Sequence, residues 1–427
     1  MRVPVLGMPR RWPRASLLLL LPGLLPIGVR VEAQVLTLDQ ARARAVEVSP
    51  VLAAAREAVR AAGGRERQAG ALPNPVLSYS REQTSRDGGT SWQNIALVEQ
   101  ALDLGGARGA RRAAARLRHE AAEADARAAE AAVRFEVTSA YAHAVAADRR
   151  AARASEAADA FRRARRTSAE RRAGGDVSGY ADRRIALEAA RYAALAAEAE
   201  LERHSARLTL GTLLSAGGDS VVALGVALEE APALPPVTLS LDSLRGRALA
   251  MRAELTAATL AARASDAEAR AASRGAWPAP TAGLGFKNER APGDPTTATG
   301  FVLQLSLPLP LWDRQRGAVT AWSAEGRERS ARAALLRRDI LAEVARAWVA
   351  HAATETQVNA LRPALGAEAR AAVRAAETAY LEGEIPLVEW LDTVRAYQEA
   401  EASFASLVAT QLIRRAALER AVGTPLE

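Results

Sequence analysis

The chain repeats its own landmarks at a nearly constant spacing, and this duplication limits the folds that are open to it. Four pairs of matching landmarks occur in the same order, offset by 203 to 208 residues. The pairs are Leu38-Asp39 with Leu241-Asp242, Pro73-Asn74-Pro75 with Pro278-Ala279-Pro280, Leu104 with Leu311, and Gly175-Asp176-Val177 with Gly383-Glu384-Ile385. A repeat of about 205 residues predicts two copies of one structural unit.

Each predicted unit has the same plan of a helix, a β-hairpin and a long helical hairpin. The predicted boundaries are residues 34–230 for the first repeat, 231–240 for a Pro-rich linker and 241–427 for the second repeat. We place β-hairpins at residues 75–104 and 280–311, and long helical hairpins at residues 108–216 and 313–421. The linker contains Pro232, Pro235 and Pro236, which favour an extended connection.

The long helices rule out one compact globule. From Gly109 to Arg172 the chain has no Pro and no internal Gly, and it is rich in the helix formers Ala, Arg and Glu. A helix of that length would extend for roughly 95 Å, because each residue adds about 1.5 Å. In the second repeat, Pro363 is expected to break the corresponding helix near Leu361, since proline lacks the backbone donor.

Composition excludes several classes of function. The chain has no Cys and only four His, so disulfide frameworks, thiol catalysis and cysteine-based metal sites are absent. His119, His143 and His204 lie in helix-forming stretches without a close His pair. We also find no Gly-rich phosphate loop and no Ser/His/Asp set. The sequence therefore predicts no enzyme, no cofactor and no metal site.

The net charge does not indicate a nucleic-acid partner. The formal charge is +8, and residues 1–33 contribute +4 of it through five Arg and one Glu. The remaining charge is spread thinly over a long chain. We therefore predict no nucleic-acid binding.

The first segment has the features of a signal peptide. Arg10, Arg11 and Arg14 precede the apolar run from Leu17 to Leu25, and Val31-Glu32-Ala33 ends the segment with small residues at the cleavage positions. We expect residues 1–33 to be removed after export. Because no Cys follows the cleavage site, no N-terminal lipid anchor is expected.

Two pairs of segments alternate between apolar and polar residues, as β-strands do. The pattern is clearest in Phe301, Leu303, Leu305 and Leu307, and in Ala282, Leu284 and Phe286. Trp92, Trp277 and Trp312 lie near the ends of these segments, where an aromatic girdle is expected. A soluble sheet buried on one side would have the same alternation. If the strands enter a membrane, four are too few to close a barrel, so the protein must oligomerise.

These motifs resemble those of a known family, the TolC-like outer-membrane efflux proteins, over essentially the whole exported chain. The motifs are Leu72-Pro73-Asn74-Pro75, Gln100 to Arg108, Leu307-Pro308-Leu309-Pro310-Leu311-Trp312-Asp313-Arg314, and Gly383-Glu384-Ile385 before Leu391-Asp392. The Gly105-Gly106 pair and the run ending in Arg314 are most similar to the cobalt-zinc-cadmium branch. That branch often has Lys where Ala107 stands.

The resemblance implies a mainly α fold with a small β part and four transmembrane strands per chain. Three copies would form a trimeric twelve-stranded β-barrel, continued by an α-helical tunnel through the periplasm. The implied partners are two further copies of the chain, a periplasmic adaptor protein, an inner-membrane resistance-nodulation-division transporter and outer-membrane lipid. The implied location is the cell outer membrane, with the tunnel extending into the periplasm.

The resemblance also implies where the functional residues lie. Glu389 and Asp392 fall on the family's acidic gate positions, and Tyr380 on a residue that holds the entrance shut. The adaptor would dock on two hairpin tips, formed by Gly174, Gly175, Asp176 and Val177 and by Gly383, Glu384 and Ile385. The first-repeat counterparts of the acids are Ala181 and Arg184, so only the second hairpin would carry the gate. The alternative is that these acids are ordinary solvated residues.

The predicted function is a passive efflux duct, most similar to ducts for divalent heavy-metal cations. The same duct could instead serve drug efflux or type I protein secretion. A different class of function, an exported coiled-coil adaptor or structural protein, would place the strands in water.

Overall fold

The computed structural model describes residues 35–87, 89–215, 226–229 and 234–426. The predicted signal peptide, residues 1–33, lies outside the described residues, as do the first three residues of the predicted linker. The described chain is mostly helical with one small sheet, which confirms the predicted fold class. None of the described helices is both long and apolar enough to cross a membrane.

The elements follow the same order in both halves of the described chain. In the first half they are α1 (Leu38–Val48), α2 (Pro50–Ala69), β1 (Val76–Arg86), β2 (Gly89–Ala101), α3 (Ala107–Ala173) and α4 (Gly179–Leu214). In the second half they are α5 (Leu241–Met251), α6 (Ala253–Gly275), β3 (Thr281–Arg290), β4 (Ala298–Ser306), α7 (Arg316–Leu361), a 3₁₀ turn (Arg362–Leu365), α8 (Ala367–Glu382) and α9 (Leu387–Val422).

The first helix of each half is broken, where the sequence predicted one continuous helix. Thr37 caps α1 as expected, but Ser49 is extended and its hydroxyl accepts from the Leu52 backbone N–H. The break follows from Pro50, because a residue before proline avoids the helical region. In the second half Arg252 is extended at the matching position without a proline. The buried Arg252 guanidinium instead donates to the backbone oxygens of Arg420 and Ala421 at the end of α9.

The long helices follow the prediction closely. α3 is continuous over 67 residues, and α7 ends at Leu361, where the 3₁₀ turn containing Pro363 separates it from α8. Each long helix begins after a left-handed residue, Gly106 with φ 66° and Gln315 with φ 55°. The Asp103 carboxylate accepts from the first backbone N–H groups of α3, at 2.9 and 2.7 Å, which stabilises this start.

The four strands form one antiparallel sheet in the order β1-β2-β3-β4. The register sets rows of side chains across the sheet. One row contains Leu77, Val98, Leu284 and Leu303, and the next contains Tyr79, Ala96, Phe286 and Phe301. The large apolar side chains of these rows are exposed on this face of the sheet. An exposed apolar face of this kind suits contact with lipid.

The opposite face of the sheet carries polar side chains together with the buried Leu97. Glu99 accepts from the Gln304 amide at 3.0 Å, and Lys287 pairs with Glu289 at 2.5 Å. β4 ends at Ser306, short of the predicted hairpin end at residue 311. Pro308 and Pro310 lack the backbone N–H that strand pairing requires, so the strand cannot continue through them.

The helices form a layer in the order α4, α3, α9, α7, with α6 and the short helices packed against it. Its buried residues are mostly alanine, so the helices approach closely. Four described clusters of larger side chains occur along the layer, and the cluster nearest the turns contains Phe161, Tyr192 and Trp390. The layer therefore has two outer helices, α4 on one side and α7 with α8 on the other.

Replacing His351 by leucine is expected to reduce the loss of folding stability that occurs as the pH becomes acidic. His351 is buried in α7, and neither ring nitrogen has a hydrogen-bond partner among the described residues. Burial lowers the pKa of its imidazole. Glu355 on α7 and Glu419 on α9 oppose this shift, whereas Arg415 on α9 adds to it. An unfolded His titrates near pH 6.5. As the pH falls through this value the unfolded state is protonated first, so the native state loses stability.

The measurement is the unfolding temperature at about pH 7.5 and about pH 5.5. His351→Leu should lose less stability between these two conditions than the wild type. The exposed His204 provides a control, because His204→Leu removes an imidazole that is not buried. Equal pH dependence in all three proteins would contradict the role of His351.

Candidate functional site at the hairpin tips

Two tight turns form the ends of the helical hairpins. In the first turn Gly175 has a φ of 90°, and the Asp176 N–H donates to the Arg171 oxygen at 2.9 Å. In the second turn Gly383 has a φ of 89°, and the Glu384 N–H donates to the Ala379 oxygen at 2.8 Å. A left-handed φ favours glycine, so both turns depend on this residue type.

The predicted docking residues are mostly exposed at these turns. Gly174, Gly175 and Asp176 are exposed at the first turn, and Val177 is half-buried. Gly383 and Glu384 are exposed at the second turn, whereas Ile385 is half-buried against the aromatic residues behind it. Ser178 caps α4 by accepting from the Ala181 N–H at 3.2 Å. The turns thus present backbone and small side chains to a partner.

Behind the turns lie four aromatic rings that join the two hairpins, which we call the tip aromatic cluster. Phe161 on α3 stacks on Tyr192 of α4 with ring centroids 4.2 Å apart, and it contacts Trp390 of α9 at 4.6 Å. Tyr380 of α8 stacks on the other side of Trp390 at 4.9 Å. Trp390 is fully buried. The cluster therefore links α3, α4, α8 and α9 just behind the turns.

Polar contacts connect the same helices around the cluster. The Arg163 guanidinium donates twice to Glu377, at 2.7 and 3.0 Å, and joins α3 to α8. Arg395 on α9 donates to Glu188 on α4 at 2.7 Å. Arg171, at the end of α3, donates to the Leu381 backbone oxygen. These links hold the two hairpin ends together within one chain.

The two predicted gate acids lie on the opposite side of α9 from the cluster. Glu389 and Asp392 are exposed, whereas Trp390 and Leu391 between them are buried. Neither carboxylate has an ion pair or side-chain hydrogen bond among the described residues. The two carboxylates are therefore free to face an ion or a neighbouring chain.

Tyr380 has a different setting from the two acids. Its ring packs against Trp390, and burial raises the pKa of its phenol, partly offset by the nearby Arg171. No hydrogen bond joins its hydroxyl to Glu389 or Asp392 among the described residues. The structure thus makes Tyr380 part of the packing between hairpins, whereas the sequence grouped it with the gate acids.

A groove of about 620 Å³ runs between α3, α8 and α9 behind the second turn. Its lining contains four arginines and three carboxylates, which are Arg153, Arg163, Arg370, Arg374, Glu156, Asp159 and Glu377, together with Trp390. Arg153 pairs with Glu156 and Arg163 with Glu377. Arg370 and Arg374 are exposed on successive turns of α8. The groove is therefore close to neutral, with two exposed arginines on its α8 side.

The predicted girdle residues occupy both ends of the sheet. Trp92 lies three residues inside β2 instead of at its end, paired with Gln83 and Arg290 on the apolar face. Trp277 and Trp312 are both exposed at the other end, before β3 and after β4. Around them Leu104, Leu307, Leu309 and Leu311 are also exposed. The apolar surface thus continues from the sheet to the starts of the long helices.

Sequence reasoning missed the tip aromatic cluster. The chain contains only 7 Trp, 6 Tyr and 5 Phe, and four of these rings meet at one place. Tyr380, Trp390 and Tyr397 lie within 18 positions of one another in the sequence, a local enrichment that could have been noticed. The contact of Trp390 with Phe161, which in turn stacks on Tyr192, is not visible in the sequence. Among the described residues no group of three or more His, Asp or Glu side chains is arranged to hold a metal ion.

Residues 244–424 match the family model described as "Outer membrane efflux protein". The second half of the chain is therefore similar to outer membrane efflux proteins. Over 406 residues it is 25% identical to the cobalt-zinc-cadmium resistance protein CzcC of Cupriavidus metallidurans, covering 94% of this chain and 93% of that relative. The resemblance to TolC-like efflux proteins inferred from the sequence motifs is thereby confirmed.

Solved bacterial membrane proteins share the fold of this chain. A membrane protein from Pseudomonas aeruginosa has a TM-score of 0.73 at 22% identity, covering 91% of this chain and 90% of that one. The CmeC outer membrane channel of Campylobacter jejuni also has a TM-score of 0.73, at 16% identity, covering 91% of this chain and 86% of that one. The family and fold are those of outer-membrane channels, not of enzymes, and the protein belongs to the outer membrane.

Proposed function

We propose that this outer membrane efflux protein is the passive duct of a tripartite pump that exports divalent heavy-metal cations. The observation that carries the proposal is its similarity, over almost the full length, to a relative named for cobalt, zinc and cadmium resistance. The two free carboxylates of Glu389 and Asp392 support it, because carboxylates at a pore entrance attract cations. The protein itself would do no catalysis and need no cofactor.

The proposed working form is a homotrimer. The sheet has four strands, with β1 and β4 at its two edges. No described segment pairs with the outer side of either edge strand. An open strand edge in hydrocarbon leaves backbone groups without partners, at a cost of several kcal/mol each. Three copies would supply twelve strands and close the barrel, with the apolar rows facing lipid.

The proposed partners act at the tips. A periplasmic adaptor protein would dock on the two turns that begin at Gly174 and Gly383, where exposed backbone is available. The groove that contains the exposed Arg370 and Arg374 lies behind the second turn and would extend the contact. An inner-membrane resistance-nodulation-division transporter would supply the energy and choose the substrate.

A resistance experiment tests the substrate. The chain is produced with its adaptor and pump in a Gram-negative host that lacks its own outer-membrane efflux proteins. We expect lower cellular cobalt, zinc and cadmium and higher tolerance to them than in the same host without the chain. If the host with the chain is as sensitive to these metals as the host without it, but exports a cationic dye, the result would contradict the metal assignment and favour a drug duct.

Removing both tip acids is expected to weaken block of the channel by a multivalent cation. In a trimer, Glu389→Ala with Asp392→Ala removes two carboxylates from each copy at the narrow end. We expect the concentration for half block by hexamminecobalt(III) to rise by about tenfold, a loss of about 1.4 kcal/mol of binding. The measurement is single-channel conductance in planar bilayers at low salt, where screening is weak.

Glu136→Ala provides the matched control. Glu136 is an exposed acid on α3 with no ion pair in the described chain, about 55 Å along the helix from the first turn. It should leave cation block unchanged. Wild-type block in the double alanine variant would contradict the gate assignment.

A further inference from the structure

The apolar face of the sheet ends in a basic and polar border on the side of the hairpin turns. Next to the apolar row that contains Phe286 and Phe301 lies a row of Arg81, Asn94, Asn288 and Thr299. The following row, closer to the turns, contains Gln83, Trp92 and Arg290. We call Arg81, Trp92 and Arg290 the outer rim cluster. The face therefore changes from exposed aromatic rings to two arginines within two rows.

The distance of the outer rim cluster from the helices matches the thickness of a membrane. The sheet adjoins the helices at one end, and the two hairpin turns lie at the other. β3 has 10 residues from Thr281 to Arg290, so Arg290 lies about 31 Å along the strand. At a barrel tilt of about 40° this is about 23 Å across the membrane, close to an apolar band of about 25 Å. With the helices in the periplasm, the cluster lies at the headgroups of the outer leaflet.

The neutral polar groups of this border bind one another. The Tyr79 hydroxyl donates to the side-chain oxygen of Asn94 at 3.0 Å, and the Asn94 amide donates to the side-chain oxygen of Asn288 at 2.9 Å. These bonds run from β1 across β2 to β3. They involve neither arginine of the outer rim cluster, so the arginines need other partners.

The two arginines have donors that the described residues leave unused. Arg81 is exposed, and its guanidinium carbon lies 5.9 Å from the centroid of the Trp92 ring, a cation–π contact. Arg81 forms no ion pair or hydrogen bond in the described part of the chain. Arg290 donates through Nη2 to the Pro295 backbone oxygen, but its buried Nε has no partner among the described residues. A ligand with several acceptor oxygens would satisfy these donors.

The acids near the outer rim cluster are turned away or bound elsewhere. Glu82 and Glu289 lie one position off the register of the cluster and so face the opposite side of the sheet. Asp294, in the turn after β3, interacts with Arg290. Its carboxylate also accepts from the Thr296 N–H and hydroxyl, at 2.8 and 2.7 Å. The border thus has an excess of positive charge, which favours an anionic ligand.

We propose that the outer rim cluster binds the phosphate of a lipopolysaccharide molecule in the outer leaflet. Arg81 and Arg290 lie two strand spacings and two residues apart, so about 12 Å separates their Cα atoms. Both side chains are long enough to reach one phosphorylated headgroup, and arginine binds phosphate through paired N–H groups. Trp92 lies between them, where an amphipathic ring suits the headgroup level. The inference rests on the proposed outer-membrane duct and adds a lipid site to it.

The aromatic row beside the arginines indicates that the ligand is a lipid and not free phosphate. Tyr79, Phe286 and Phe301 are 66%, 78% and 81% exposed, on the helix side of the cluster. Acyl chains that extend from a bound phosphate toward the membrane centre would pack on these rings. Free phosphate would use only the arginines. The position at the turn end selects the outer leaflet, whose phosphorylated lipid is lipopolysaccharide.

Lipid binding by the full-length protein in detergent tests the site. Native mass spectrometry is recorded with delipidated protein and added diphosphoryl lipid A, or with the same lipid A after removal of both phosphates. We expect the wild type to bind the diphosphoryl form at least about tenfold more tightly. Arg81→Gln with Arg290→Gln should abolish this preference. Inorganic phosphate at millimolar concentration should not displace the bound lipid.

Arg86→Gln provides the matched control. Arg86 is exposed on β1, but it lies on the opposite face of the sheet from Arg81 and has no ion pair within the described ranges. The variant should keep the wild-type preference. Arg81→Gln alone covers the case in which the double variant does not assemble, because it removes no hydrogen bond within the described chain. It should weaken binding of diphosphoryl lipid A by at least about threefold.

The outcomes distinguish this inference from the proposed function. Equal wild-type affinity for the two lipids, an equal loss in Arg86→Gln and Arg81→Gln, or displacement by inorganic phosphate would overturn the lipid site, even if the trimer conducts. A loss confined to the variants of the outer rim cluster supports the site. A wild-type protein that binds lipid in this way but neither trimerises nor conducts would overturn the proposed function and keep the site.

Discussion

Replacing Gly285 by alanine is expected to prevent assembly of the protein in the outer membrane. A Cβ atom at Gly285 would lie 2.0 Å from the backbone oxygen of Ala96 and 2.8 Å from the Cα of Leu97. Both atoms belong to the backbone of β2, so no side-chain rotation can relieve the clash. The β2–β3 pairing in the centre of the sheet would have to separate locally.

The effect should exceed the usual cost of overpacking, about 1 to 3 kcal/mol, because backbone hydrogen bonds are lost as well. The side chain of the buried Leu97 packs against the neighbouring Gly283, so contacts around Gly285 would also be disturbed. We expect at least about a tenfold decrease in the heat-modifiable oligomer recovered from outer membranes, about 1.4 kcal/mol or more.

Gly300→Ala is the matched control for this experiment. Gly300 lies on the same face of the same sheet, and a Cβ atom there would have no heavy atom within 4 Å. It should assemble as the wild type does. Normal assembly of Gly285→Ala would show that the sheet tolerates a wider β2–β3 spacing.

The second large effect is expected from Trp390→Ala. Trp390 is fully buried between Phe161 and Tyr380, so its removal leaves a cavity where the two hairpins meet. Loss of a buried Trp typically costs about 3 to 5 kcal/mol. We expect a large decrease in unfolding temperature and a higher single-channel conductance, because the hairpin ends are less firmly held behind the turns.

Two further variants test whether the effects of Trp390→Ala come from lost packing of the ring. The Trp390 indole nitrogen has no hydrogen-bond partner among the described residues, so Trp390→Phe keeps most of the ring and loses no hydrogen bond. It should retain most of the stability. Trp312→Ala removes a tryptophan that is 92% exposed and should have little effect on unfolding in detergent. Similar conductance in all three variants would mean that the tip aromatic cluster does not restrain the entrance.

Much of the fold was predictable because its signals are local. The absence of Pro and Gly predicted the continuous α3, and Pro363 predicted the end of α7 at Leu361. The break at Ser49 also has a local signal in Pro50, which we overlooked. The matching break at Arg252 has no such signal. It is stabilised by contacts with the end of α9, which lies about 170 positions later in the chain.

The candidate site was predictable in its positions but not in its packing. The glycines at positions 175 and 383 located both turns, and the three-residue spacing of Glu389 and Asp392 placed both on one side of α9. The role of Tyr380 depends on Trp390 and on Phe161, which is more than 200 positions away. Contacts between distant segments leave no periodic pattern in a single sequence.

The unbroken length of α3 fixes the length of the helical hairpins. Its 67 residues extend for about 100 Å, and α4 runs back beside it in the opposite direction. Inserting one residue would shift every later side chain by about 1.5 Å and rotate it by about 100°. Only insertions of about seven residues, made in both arms of both hairpins, would preserve the packing. The length of the helical hairpins can therefore change only in steps of about 10 Å.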